Sequence, residues 1–162
     1  VIIKMNKVRI AVIRIHGKKG LKKGIKDTFN MLRLYNKHNC IIISNTQDYI
    51  GMLKKIKYYV TWGEIDKETL LQLFIKRGKL ARKKQLTEEY VKDKMKIALV
   101  EFASQVTDFK KELKDLPGLK LFFKLSPPRG GFERGGIKKE FTMGGSLGYR
   151  KDKINELIIK ML

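Results

Sequence analysis

Cysteine is nearly absent from this chain: one residue, Cys40, among 162. A single thiol closes no internal disulfide, which fits a reducing compartment, and its place in a short apolar run suits a small buried hydrophobe better than a nucleophile. Histidine is almost as scarce. His16 and His38 form no cluster with zinc-ligand spacing alongside Cys40, so neither a metal nor a cofactor is expected. No apolar run approaches the ~20 residues of a membrane span. Residues 1–6 are too short for a leader and carry no small-residue cleavage site, so the expected location is cytoplasmic and off the membrane. Gly130 to Gly135 is followed by Gly136 and Ile137, without the lysine and hydroxyl of a phosphate-binding P-loop, and no G-x-G-x-x-G opens a helix. With no local cluster of carboxylates either, no catalytic residues are assigned and no enzyme is expected.

Acidic side chains are the other shortage. Against 37 lysines and arginines stand 16 aspartates and glutamates, a formal net charge of +21. Solubility needs far less, and such a field attracts polyanions. Residues 1–63 hold 14 basic and 2 acidic side chains, residues 64–108 hold 10 and 8, and residues 109–162 hold 13 and 6. Two basic ends flank a nearly balanced middle, which points to two contact regions rather than an evenly solubilised surface. A hydrophobic content of 43% supplies a core, and the length suits one domain with an appendage or two small ones.

Residues 8–15 are apolar apart from Arg9 and Arg14 and read as a buried strand. They run into a loop of four lysines, two glycines and a histidine. Residues 22–35 have helical spacing, with Ile25, Phe29 and Leu32 on one face and Lys22, Lys26 and Arg33 grouped beside it. Residues 40–43 form a second strand, Ser44 or Thr46 caps a second helix, and residues 58–65 are rich in aromatic and β-branched types that favour a third strand. The order is β-α-β-α-β in about 65 residues. Asp66, Glu68, Lys76, Arg77 and Gly78 carry the start and stop signals of a further helix. Another is expected from Thr87 through Phe102, then a strand over residues 119–125 ended by Pro127-Pro128. Residues 129–151 hold seven glycines among Arg, Lys, Phe and Tyr, a basic arm expected to order mainly on a partner. A short amphipathic helix closes the chain over residues 152–162.

The chemistry in these patterns is nucleic-acid binding. Cations meet phosphates, glycines permit close backbone approach, and Phe132, Phe141 and Tyr149 offer rings for stacking. The candidate RNA-binding residues of the first region are Arg14, His16, Lys18, Lys19, Lys22, Lys23, Lys26 and Arg33. Those of the second are Arg129, Gly130, Gly131, Phe132, Arg134, Lys138, Lys139, Arg150 and Lys151. No helix-turn-helix, zinc module or basic zipper is present, and a glycine-rich basic arm on a small α/β core suits irregular RNA better than a regular groove, so DNA is not expected.

Five strings, I-R-I-H-G at 13–17, D-T-F-N-M-L-R-L at 27–34, G-M-L-K-K-I-K-Y-Y-V-T-W-G-E-I at 51–65, L-P-G-L-K at 116–120 and P-P-R-G-G-F at 127–132, together resemble the large-subunit ribosomal protein L-thirty family in its long archaeal form, related to eukaryotic L-seven. The resemblance implies an α+β fold: a ferredoxin-like β-α-β-α-β core with a small antiparallel sheet over residues 1–65, then a helical extension over residues 66–162 with a strand, a basic glycine-rich loop and a terminal helix. It implies a structural constituent of the large ribosomal subunit that binds ribosomal RNA, contacts neighbouring ribosomal proteins and has no catalytic activity. By position, Arg14, His16 and Gly17 match the family's basic strand end, Arg33 its first-helix arginine, and residues 127–132 its RNA-facing loop. Lys18 and Lys19 make the first loop more basic than in many relatives, and residues 36–39 are atypical. A free-standing RNA chaperone or regulator using the same surfaces is the alternative.

Overall fold

A computed structural model describes residues 7–162; the start of the chain, where no leader was expected, lies outside the described residues. Five strands and six helices follow in order: β1 (Arg9–Arg14), α1 (Lys23–Met31), β2 (Asn39–Ser44), α2 (Gln47–Lys55), β3 (Val60–Glu64), α3 (Lys67–Arg77), α4 (Glu88–Met95), α5 (Leu99–Thr107), β4 (Phe123–Lys124), β5 (Gly148–Tyr149) and α6 (Ile154–Met161). The strands form one sheet in the order β4-β2-β1-β3-β5. β1 lies in the middle, antiparallel to both β2 and β3, as expected of the core. The later chain then adds a strand to each edge, β4 antiparallel to β2 and β5 parallel to β3.

Because side chains alternate across a strand, β1 feeds two cores. Ile10 and Val12 pack with Phe29, Leu32, Ile41, Ile43, Leu53 and Ile56, under α1 and α2. Ala11 and Ile13 face the other way, joining Cys40, Leu70, Phe74, Phe102, Phe123 and Ile158. A central strand covered on both faces reads as a continuous apolar run rather than an alternating one, which is the pattern of residues 8–15. The helices α3, α5 and α6 therefore form the second layer of the sheet.

Several boundaries differ from expectation, each for a local reason. α1 stops at Met31, and Arg33 follows with φ 59°, outside the helix and off the Lys22–Lys26 stripe. The helix expected from Thr87 to Phe102 is two helices: Lys96 adopts φ 57°, a left-handed turn that ends α4 and lets α5 restart at Leu99. Only Phe123 and Lys124 of the strand expected over residues 119–125 pair with β2, opposite Cys40 and Asn39. Thr46, rather than Ser44, caps α2, its hydroxyl accepting from the Tyr49 amide at 3.5 Å. Asp66 stands at the start of α3 without a side-chain cap, and its own amide donates instead to Asn155 Oδ1 on α6 at 2.9 Å.

The largest difference is the glycine-rich segment, which is not a free arm. It runs back along β3, and its residues from Gly145 to Gly148, together with Arg150, are buried. Gly63 makes this approach possible. A Cβ there would collide with the Lys151 carbonyl oxygen and lie 3.0 Å from the Ile154 side chain. Gly63→Ala is accordingly expected to cost about 2 kcal/mol in urea unfolding, as overpacking does. Gly51→Ala on α2, where an added Cβ meets nothing within 4 Å, is expected to be neutral or slightly stabilising.

Candidate nucleic-acid interface

The end of β1 shows how the first cationic loop is held. Period-two alternation puts Arg14 on the same face as Ile10 and Val12, so its guanidinium turns inward over the Phe29 ring, 4.0 Å from the centroid. Its Nε donates to the His16 carbonyl at 2.8 Å, Nη1 to the Leu34 carbonyl at 2.7 Å and Nη2 to the Gly17 carbonyl at 3.0 Å. Burial lowers the Arg14 pKa, but a guanidinium remains charged. Arg14 thus ties the loop after β1 to the segment leaving α1 rather than projecting toward a ligand.

The lysines do project. Lys18, Lys19, Lys22, Lys23 and Lys26 are all exposed, and none takes part in an ion pair among the described residues. Sequence reasoning left Lys55 out of this group. Its ammonium comes within 3.5 Å of where a Cβ on Gly24 would stand, so α2 lends a cation to the start of α1. The one signal for it was the position of Lys54, Lys55 and Lys57 off the apolar stripe of their helix. Arg33 is exposed but borders a different cleft, shared with Met31 and Glu112.

In the second region a buried arginine again does the positioning. Arg150 donates from Nε to Thr61 Oγ1 at 2.7 Å, from Nη1 to Glu133 Oε1 at 2.6 Å and from Nη2 to the Ser146 carbonyl at 2.7 Å. Glu133 also accepts from the Ser146 hydroxyl at 2.6 Å, and Thr61 donates to the Gly148 carbonyl at 3.0 Å. Burial opposes ionisation of Glu133, yet hydrogen bonds from Ser146 and Arg150 and the arginine's charge outweigh it and hold the carboxyl below its ordinary value. A segment with little apolar content is fixed by a polar network in which every guanidinium nitrogen has a partner.

Around that network Arg129, Arg134, Lys138, Lys139 and Lys151 are exposed, and Gly130 and Gly131 turn the chain with φ near +78°. The aromatic residues are engaged within the protein. Phe132 is half-buried and stacks on His38 at 6.1 Å, Phe141 lies 4.8 Å under the Arg150 guanidinium, and Tyr149 donates its hydroxyl to Glu64 beside Trp62. Burial, followed by Glu64, pushes the Tyr149 phenol up to about 12, so it stays a donor.

One hydrogen bond joins the two regions. The His16 ring nitrogen Nε2 lies 2.8 Å from the Ile137 carbonyl, with Tyr59 edge-on to the ring at 5.8 Å. Lys18 is two residues from His16 and Lys138 is next to Ile137 in sequence, so the cationic ends of the chain meet at this contact. Stretches 121 residues apart are joined at this contact.

A profile of the family described as ribosomal protein L30p/L7e matches residues 10–60, from β1 to the first residue of β3. The chain is 49% identical over 152 residues to the large ribosomal subunit protein uL30 of Methanococcus vannielii, covering 94% of this chain and 98% of the relative. It is 47% identical to the protein of that name from Methanopyrus kandleri, covering 91% and 100%, and 44% identical to that of Nanoarchaeum equitans, covering 94% and 97%. The chain belongs to the ribosomal protein L30p/L7e family. Within this L30p/L7e chain the profile spans the first cationic loop, α1 and α2, whereas the full-length relatives also cover the Arg150 network.

Removing the counter-charge of a buried guanidinium is costly. Glu133→Gln is expected to destabilise the fold by about 2 kcal/mol in urea unfolding at neutral pH, less than a fully buried pair because Glu133 is partly solvated. The carboxyl has a lowered folded-state pKa, so its contribution is present above the ordinary glutamate range and is lost as pH falls through the folded value. The wild-type minus variant difference should shrink as the pH is taken down from 5.

Proposed function

We propose that this L30p/L7e chain is a structural constituent of the large ribosomal subunit, in the cytoplasm, where it binds ribosomal RNA, contacts neighbouring ribosomal proteins and supports subunit assembly and translation without catalysing a reaction. The observation that carries the reading is full-length similarity to proteins named large ribosomal subunit protein uL30, on a chain whose first cationic loop and α1 expose Lys18, Lys19, Lys22, Lys23 and Lys26 with no ion pair to any of them among the described residues. Cations held without acidic neighbours are available to phosphate, and counterion release makes such binding steeply salt-dependent. No helix among the described residues is long and apolar enough to cross a membrane.

In this reading residues 1–65 form the core unit and residues 66–162 the extension that covers its second face and carries the glycine-rich cations. Of the candidate residues, Lys18, Lys19, Lys22, Lys23, Lys26, Arg129, Arg134, Lys138, Lys139 and Lys151 touch RNA phosphates. Gly130 and Gly131 allow close approach. Arg14, His16, Phe132 and Arg150 hold these cations in place, and Arg33 contacts RNA or a protein neighbour from the separate cleft by Glu112. Phosphate contacts of this kind fix register without reading sequence.

The triple variant Arg129→Ala, Lys138→Ala, Lys139→Ala is expected to leave the unfolding midpoint unchanged and to lower the slope of log affinity against log salt by about 2 to 3 on large-subunit RNA. It should also enter large subunits poorly. Normal incorporation, or wild-type protein that stays off ribosomal particles in sedimentation at physiological salt, would contradict the assignment.

A further inference from the structure

A cleft of about 340 Å³ opens between the loop after β1 and α1, within the range of ligand-sized pockets. Its floor is apolar: Leu21, and Phe29 beneath the Arg14 guanidinium. One wall is the Tyr35 ring, 39% exposed and held edge-on by Phe122 at 5.5 Å. Asn30 stands on α1 one turn after Lys26, on the same face of the helix. It is exposed, and its amide makes no hydrogen bond among the described residues. Lys18 and Lys26 also line the cleft, and both are exposed.

This combination is more than phosphate binding requires. A phosphate site needs cations and amide donors but has no use for an apolar floor with a fixed aromatic wall, and an apolar protein-docking groove would not be lined by unpaired lysines. A nucleotide needs all of these features: a flat apolar surface against which a base stacks, an amide that both donates and accepts for the base edge, and cations for the flanking phosphates. We propose that this cleft receives one unpaired, extruded base of the bound RNA. Tyr35 stacks on its face, Asn30 pairs with its edge, and Lys18 and Lys26 hold the phosphates on either side. The proposal rests on the RNA-binding reading above and adds a point of base recognition to a surface otherwise made of phosphate contacts.

The test compares two polyanions of similar charge, hexaadenylate and a six-phosphate inorganic polyphosphate, on the full chain. The Tyr35 ring and Asn30 side-chain amide resonances should move with hexaadenylate and not with polyphosphate. Tyr35→Leu combined with Asn30→Ala should weaken hexaadenylate binding about tenfold, the scale of losing one base stack, while polyphosphate binding is unchanged and Tyr35→Phe retains wild-type affinity. Tyr35 and Asn30 are exposed, so unfolding is not expected to confound the result, and an unchanged thermal midpoint checks this. Equal losses for both ligands, or no loss for either, overturn the proposal and leave the phosphate surface intact. If hexaadenylate does not bind while large-subunit RNA does, the proposal falls and the RNA-binding reading stands; if neither binds, both fall.

Discussion

A buried guanidinium, Arg150, holds together the part of this protein that has least to hold it. The stretch it organises contains seven glycines and few apolar side chains, so hydrophobic burial alone would leave its backbone entropy uncompensated. Six hydrogen bonds among Arg150, Glu133, Ser146, Thr61 and Gly148 do that work from the edge of β3. The same device recurs at both ends of β1. Arg14 binds two carbonyls of the loop beyond it and the Leu34 carbonyl of the segment after α1, and Arg9 reaches the Val106 carbonyl at 2.9 Å and Glu112 at 3.0 Å while lying 4.0 Å over Phe109. Three arginines are thus spent inside, and the exposed cations around them are mostly lysine.

This division of labour suits the two side chains. The planar fork of arginine satisfies several fixed acceptors at once, whereas lysine is a hydrated point charge that meets phosphates in many geometries. Ordering the loops within the protein also removes a cost that RNA binding would otherwise carry, since a preorganised surface loses less entropy on association. The His16 to Ile137 bond extends that order across the junction of the two cationic regions.

The β-α-β-α-β order and the start of α3 were legible because hydrophobic periodicity and terminus residues report directly on local structure, whereas the antiparallel pairing of the first three strands was expected only from the family resemblance. The five family strings carried the extension beyond them. What was not legible was the direction in which a cation points. Arg14 and Arg150 look like surface charges in sequence, although for Arg14 the alternation with Ile10 and Val12 already placed it on a buried face. Arg150 offered no such pattern, because its partners Glu133 and Thr61 lie 17 and 89 residues away. A composition dense in glycine and lysine reads as a loose arm for the same reason: the polar network that fixes it is non-local. The left-handed turn at Lys96 was equally invisible, lysine being an unremarkable residue in the middle of a helical pattern.

Amide hydrogen exchange on the free protein tests the central claim, that the glycine-rich cationic segment is ordered before any RNA arrives. The Gly135, Ser146 and Leu147 amides donate to the carbonyls of Gly144, Gly136 and Lys139 at 2.9 to 3.1 Å. Without RNA they should exchange at least about a hundredfold more slowly than an unstructured chain, as amides of a cooperatively folded unit do. Exchange at unstructured rates, with protection appearing only when RNA is added, would contradict it and restore the picture of an arm that folds on its partner.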